Sequence, residues 1–129
     1  MSKIINLEST RKKYYSDGAL KSEFLLIDGC EKLLRMYFED GSLRAESPVE
    51  NSQLNGTAFV YYKNGNIHCK IEYLDHQQNG LSQGYYRDGK KAIEVFFNGG
   101  RAMFGVYYKK DGFKNIMSQK QLDRKTEKM

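Results

Sequence analysis

Two histidines and two cysteines are the first residues to weigh in this chain of 129, because these side chains most often ligate metals or carry proton and nucleophilic chemistry. His68 and Cys69 are neighbours. On a strand they point to opposite faces and cannot grip one metal ion together. His76 falls in the polar stretch DHQQNG, which reads as a solvated connection. Cys30 follows Asp28-Gly29, and Cys69 occupies a position matched elsewhere by Ser22, Ala45 and Ile93, the mark of a small core residue. Glu23, Glu46 and Glu94 recur at one offset, a pattern that could supply paired carboxylates for acid and base work. Lys21 and Arg44 stand two residues before the first two of them, so exposed charge ladders explain the recurrence better. There is no GxSxG, P-loop, HExxH or CxxC motif. The expectation is a noncatalytic protein with no cofactor and no metal.

The aromatic residues carry a stronger pattern. Nine of the ten tyrosines fall in aromatic pairs followed by an Asx-Gly turn: Tyr14-Tyr15 before Asp17-Gly18, Tyr37-Phe38 before Asp40-Gly41, Tyr61-Tyr62 before Asn64-Gly65, Tyr85-Tyr86 before Asp88-Gly89, and Tyr107-Tyr108 before Asp111-Gly112. Successive first aromatics lie 23, 24, 24 and 22 residues apart, which is an internal repeat. Asx-Gly between alternating apolar runs signals a β-hairpin, whose tight turn needs the positive φ that Gly and Asn tolerate. After each turn the even offsets are apolar or small (Leu20, Ser22, Phe24; Leu43, Ala45, Ser47; Ile67, Cys69, Ile71) and the odd offsets are charged or polar. A period of two with one apolar face means half-buried antiparallel strands.

A second set of turns, at Asp28-Gly29, Glu50 to Gly56, Asp75 to Gly80 and Asn98 to Gly100, joins one hairpin to the next. The predicted fold is all-β: a single meandering antiparallel sheet of about five tandem hairpin repeats. Up to ten strands at about 4.8 Å spacing give an elongated, twisted sheet roughly 45 Å long. One sheet buries a face only by curling, stacking in solenoid fashion or being covered by its ends. Residues 1–10 read as an N-terminal cap, 11–117 as the repeat domain, and 118–129 as a charged tail or capping helix. No run approaches the roughly 18 apolar residues of a membrane span, and the start lacks the apolar block of a secretory signal. With two cysteines in no ligand spacing, the cytoplasm is the expected compartment.

The pattern YY-x-N/D-G-x-I/L, alternating residues, then N-G and another YY resembles the MORN-type variant repeat of bacterial proteins, including the YwqK-like antitoxin family. The resemblance runs over about residues 11 to 117 and is clearest from Asn55 to Asp75 and from Asn79 to Gly100. Departures are a lengthened second inter-hairpin connection that contains Pro48, an extra Lys in the last turn (YYKKDG), and the absence of Trp. The resemblance implies a MORN-like elongated solenoid and a binding scaffold, in its most concrete form an antitoxin or immunity protein that sterically blocks a cognate toxin.

Tyr37, Tyr61, Tyr85 and Tyr107 share strand faces with Arg35, Phe59, Gln83 and Gly105, whereas Phe38, Tyr62, Tyr86 and Tyr108 share theirs with Met36, Val60, Gly84 and Val106. The second set reads as inward. The first set then forms a column on the other face, and Tyr37, Tyr61, Tyr85 and Tyr107, with Arg35 and Gln83 beside them, are the candidate contacts for a protein partner. Net charge is +5, yet 16 acidic residues interleave with 21 basic ones and the long basic run of a nucleic-acid arm is missing. The expected partner is a protein, acidic or matched by shape, and no specific nucleic acid. Anionic membrane surface or self-assembly through edge strands are the alternative readings, and the oligomeric state is left open.

Overall fold

The computed structural model describes residues 7–127. Its strands follow in chain order: β1 (Leu7–Tyr14), β2 (Leu20–Ile27), β3 (Cys30–Tyr37), β4 (Leu43–Glu50), β5 (Gln53–Leu54), β6 (Gly56–Tyr61), β7 (Ile67–Leu74), β8 (Gln77–Gln78), β9 (Gly80–Tyr85), β10 (Lys91–Asn98), β11 (Arg101–Tyr108) and β12 (Lys114–Ile116). One helix, α1 (Gln119–Glu127), follows. All described strands belong to one open antiparallel sheet in the order β1-β2-β3-β4-β6-β7-β9-β10-β11-β12, with the two-residue strands β5 and β8 beside β4 and β7. The single meandering sheet expected from the hairpin signals is therefore what the chain forms. Of the segment read as a cap, residues 1–6 lie outside the described residues and 7–10 run in β1.

Two turn geometries alternate along the chain. At each aromatic pair the turn is a three-residue loop in which only glycine takes positive φ: Gly18, Gly41, Gly65, Gly89 and Gly112 lie between +90° and +93°. The preceding Asx does not share that conformation, contrary to the simple reading of Asx-Gly. Its side chain instead accepts the backbone N–H two residues on, as Asp17 does from Ala19 at 2.9 Å and Asn64 from Asn66 at 2.9 Å. The opposite turns need positive φ at both central residues, and Asp28-Gly29, Asn51-Ser52, Asp75-His76 and Gly99-Gly100 supply it.

The second connection is not an irregularity. Asn51-Ser52 and Asp75-His76 stand 24 residues apart, and the N–H groups of Asn55 and Asn79 bond the carbonyls of Pro48 and Glu72 at 3.1 and 2.9 Å in the same way. Pro48 lies within β4 opposite Leu33. The second repeat thus keeps the register of the third.

The fifth repeat does slip. The turn bonds that close on Tyr15, Phe38, Tyr62 and Tyr86 close on Lys109 in the last repeat. The structural counterpart of Tyr37, Tyr61 and Tyr85 is therefore Tyr108, one residue later than the sequence spacing suggests.

Strand pairing carries two rows of side chains across the whole sheet, one on each face. On one face run Ser22, Met36, Ala45, Val60, Cys69, Gly84, Ile93 and Tyr107, each the register partner of the next. This is the face that α1 covers: Val95, Phe97, Ala102, Met117 and Leu122 form the main buried cluster, with Ile93 and Tyr107 against it. Met117 sits directly above Gly105, where an added Cβ would stand 2.5 Å from its Sδ, and the Met117 N–H bonds the Gly105 carbonyl at 2.8 Å. At the far end of α1 the Thr126 hydroxyl accepts the Ala102 N–H at 2.8 Å. Ser118 caps the helix, its Oγ accepting the Gln121 N–H at 3.2 Å.

Candidate functional site

The other face is open, and its row reads Glu23, Arg35, Glu46, Phe59, Lys70, Gln83, Glu94 and Val106. Both non-aromatic candidates, Arg35 and Gln83, stand in this row, and Tyr37, Tyr61 and Tyr85 stand two residues further along the same strands. Tyr107 does not join them. The one-residue slip puts it on the helix-bearing face against the buried cluster, and Tyr108 takes its place, its hydroxyl donating to Glu94 Oε1 at 2.6 Å. That corrects the column read from the spacing.

The two ends of the row are internally satisfied. The Tyr37 hydroxyl donates to Glu23, which also receives the Ser9 hydroxyl. Burial pushes the Glu23 carboxyl up, but these two hydroxyls outweigh it and hold the group below its ordinary value. Burial and the Glu23 bond together raise the Tyr37 phenol. At the other end the Tyr108 hydroxyl, with Gln83, holds Glu94 low, and the same bond raises Tyr108. Arg35 Nε meets Glu46 at 2.7 Å, and Gln83 Nε2 donates to Glu94 at 3.0 Å. Four of the six candidate contact residues therefore have structural work, and Tyr107 is one of them.

The centre differs. Phe59 and Tyr61 stack at 6.4 Å, and Lys70 lies 6.0 Å from the Phe59 ring and 5.9 Å from the Tyr85 ring. Among the described residues no hydrogen bond engages the hydroxyls of Tyr61 or Tyr85. Next to them a hollow of about 580 Å³ is lined by Arg44, Tyr61, Tyr62, Lys63, His68 and Arg87 among others, with no carboxylate in its wall. Lys70 is the residue that sequence reasoning missed. Its signal was present: it stands at the offset held by Glu23, Glu46 and Glu94, and is the one member with reversed charge.

The second aromatics are not inward. Phe38, Tyr62 and Tyr86 lie past the strand ends, where they tie each repeat to the next. The hydroxyls of Tyr15, Tyr62 and Tyr86 donate to the carbonyls of Tyr37, Tyr85 and Tyr108, each at 2.6 Å. Their outer faces are covered by cations of the following turn: Lys63 over Phe38 at 5.7 Å, Arg87 over Tyr62 at 5.7 Å and Lys110 over Tyr86 at 5.5 Å.

The histidines and cysteines stay apart. His68 is exposed and stacks on Tyr62 at 4.3 Å. His76 is more than a solvated loop residue, since its N–H donates to the Leu54 carbonyl at 2.8 Å and its Nδ1 accepts the Leu54 N–H at 3.3 Å. Both thiols are free, and burial raises the Cys69 thiol above its ordinary value. Among the described residues no group of three or more His, Cys, Asp or Glu is placed to hold a metal ion, and no helix is long and apolar enough to cross a membrane.

Residues 54–75 and 78–98 match the family model of the MORN repeat variant. These two segments are similar to MORN-type repeats. They coincide with the β6–β7 and β9–β10 hairpins, whose open face carries Phe59, Tyr61, Lys70, Gln83 and Tyr85. MORN repeats are in general noncatalytic modules that bind proteins or membranes. No curated protein matches the chain.

Proposed function

We propose that the protein is a noncatalytic, protein-binding MORN-type module whose open face receives an acidic partner protein. The observation that carries this reading is the centre of the open face. The Lys70 ammonium lies over the Phe59 and Tyr85 rings, and Tyr61, stacked on Phe59, lines a hollow whose charged lining is entirely cationic. Tyrosines held this way give a partner large contact area and a hydrogen-bonding tip at little conformational cost. The finer reading draws on the sequence resemblance: a cytoplasmic antitoxin or immunity protein that covers a cognate toxin. Two unpaired thiols agree with a reducing compartment.

The test is purification of the tagged full chain from its native cells, identification of a stoichiometric partner, and titration of that partner with variants. Tyr61→Ala/Tyr85→Ala and Lys70→Glu should each weaken binding at least tenfold while the far-UV spectrum is retained. Unchanged affinity in both variants would remove the site assignment. A partner that is harmless when expressed alone would remove the antitoxin role and leave the binding module. A membrane-surface role would draw on the same cations, Lys63 and Arg87 of the hollow and Lys110 of the last turn. Flotation with vesicles containing anionic lipid separates the two.

A further inference from the structure

We propose that the helix-bearing face holds a second helix seat, over β7 and β9 beside α1, and that it receives an amphipathic helix of a partner protein with acidic residues along the flank that meets α1. The proposal rests on the protein-binding reading above and adds a contact surface on the opposite face.

The repeat itself defines the seat. Beneath α1 lie Ile93, Val95 and Phe97 of β10, and 24 residues earlier the same positions of β7 hold Cys69, Ile71 and Tyr73. Val95 and Phe97 are each 4% exposed under the helix, whereas Ile71 and Tyr73 are only half-buried. The seat's other strand is equally matched: Gly105, which admits Met117, corresponds to Ser82, the register partner of Val95 on the same face. A hollow of about 200 Å³ marks the place, lined by Cys69, Ile71, Ser82 and Gly84 from the sheet and by Lys125 from α1.

Spacing and charge define the occupant. One repeat advances the sheet by two strands, about 9.6 Å at ~4.8 Å each, and neighbouring helices pack at roughly 8–10 Å. A helix seated one repeat before α1 would therefore touch both the sheet and α1. α1 crosses its strand lengthwise, since Met117 lies over Gly105 and Thr126 reaches Ala102. An eight-residue strand is about 26 Å long, which a helix of about 17 residues spans. The flank of α1 nearest the seat offers Lys125, and the helix sequence carries three cations, Lys120, Arg124 and Lys125, against the two carboxylates Asp123 and Glu127. An acidic neighbour gains ion pairs with Lys125 there, while α1 of a second copy, itself net cationic, gains less.

Cys69 lies in the seat and supplies a reporter. In the full chain carrying Cys30→Ser it is the single thiol. The probe is a designed 17-residue peptide with Leu and Met at helical i, i+3, i+4 and i+7 positions and Glu on both flanks. Its controls are the same peptide with Lys for Glu, and a peptide of the α1 sequence. The Glu peptide should raise fluorescence anisotropy on binding and slow Cys69 alkylation at least fivefold, with the Lys peptide at least tenfold weaker. Ser82→Arg should abolish binding, and Lys125→Glu, a surface change that leaves the fold intact, should reverse the preference between peptides. Absence of Cys69 protection, or binding indifferent to both substitutions, overturns the proposal, as does equal binding of the α1 peptide, which would assign the seat to a second copy. If these peptides fail while Tyr61→Ala/Tyr85→Ala weakens the native partner, the open-face reading stands and the second seat falls.

Discussion

Replacing Tyr15, Tyr62 and Tyr86 by Phe removes three hydroxyls and no ring. Each hydroxyl donates at 2.6 Å to a backbone carbonyl of the following repeat in a half-buried position, and each ring keeps the cation over it, Lys21, Arg87 and Lys110 in turn. A typical internal hydrogen bond contributes about 0.5–1.5 kcal/mol net, so three contribute about 1.5–4.5 kcal/mol if they act independently. With an unfolding entropy of about 2.1 cal/mol/K per residue, a chain of 129 residues loses about 4 °C in Tm per kcal/mol. The triple variant should therefore melt about 6–18 °C lower. The chain also contains the reverse experiment. Phe38 is the one aromatic at this turn position without a hydroxyl, and its turn closes through the same backbone bonds as those of Tyr15, Tyr62 and Tyr86. Phe38→Tyr places a donor where the Tyr61 carbonyl should stand and should raise Tm by about 2–6 °C. Thermal melts followed by circular dichroism at one protein concentration read both. A triple variant within 2 °C of the parent, or a Phe38→Tyr variant that melts lower, would refute the inter-repeat role given to these hydroxyls.

Acid should weaken the sheet through Glu23 and Glu94. Their carboxyls are held below the ordinary 4.5 in the folded state, so their contribution is intact above that pH and is lost as pH falls through the depressed values; urea midpoints from pH 6 to pH 3 should decline, less steeply in Glu94→Gln. Tyr37 and Tyr108 are raised above 10.0, so their contribution is present below pH 10 and lost above it, and Tyr108→Phe should flatten that alkaline limb. Gly105→Ala forces a Cβ to within 2.5 Å of Met117 Sδ and 3.0 Å of the Glu94 carbonyl; the overpacking should cost about 1–3 kcal/mol and make the α1 segment cleavable in limited proteolysis. Tyr107→Ala should destabilise by about 2–4 kcal/mol, because the ring packs against the buried cluster, while Tyr61→Ala on the open face costs less than about 1 kcal/mol. Equal losses from these two variants in urea melts would contradict the register slip.

Much of the sheet was legible because its causes are local. The Asx-Gly turns and the alternation at Leu20, Ser22 and Phe24 act within a few residues, so the ten strands of the main path and their hairpin order follow from short windows, while the two-residue β5 and β8 do not. Arg35 and Gln83 fall on one face as parity predicts, since the face of a strand residue depends only on parity and the bulges fall beyond them. The second aromatics could not be read that way. Phe38, Tyr62 and Tyr86 lie past the last regular pair, where parity loses its meaning and the next turn decides where the ring goes. Tyr107 was misplaced for a related reason: five turns looked alike, and a count from aromatic to aromatic hid that Lys109 had taken the second aromatic's backbone position.

The slip has a physical sense once α1 is considered. A sheet of one layer leaves both faces to water, and among the described residues only the last repeat of one face is covered, by α1. There the alternation bends to the helix. The position that holds Ser82 one repeat earlier becomes Gly105, which clears room for Met117, and the shifted Tyr107 turns its ring onto the same cluster. Tyr108 meanwhile keeps the open-face bond to Glu94, so the ladder of the other face continues to the end. The terminal repeat thus preserves its open face while altering its covered one. The two faces therefore answer to different constraints. Substitutions at Tyr61, Lys70 and Tyr85 change what the open face presents with little effect on the fold, whereas those at Gly105, Tyr107 and Leu122 act on the helix seat and on stability together.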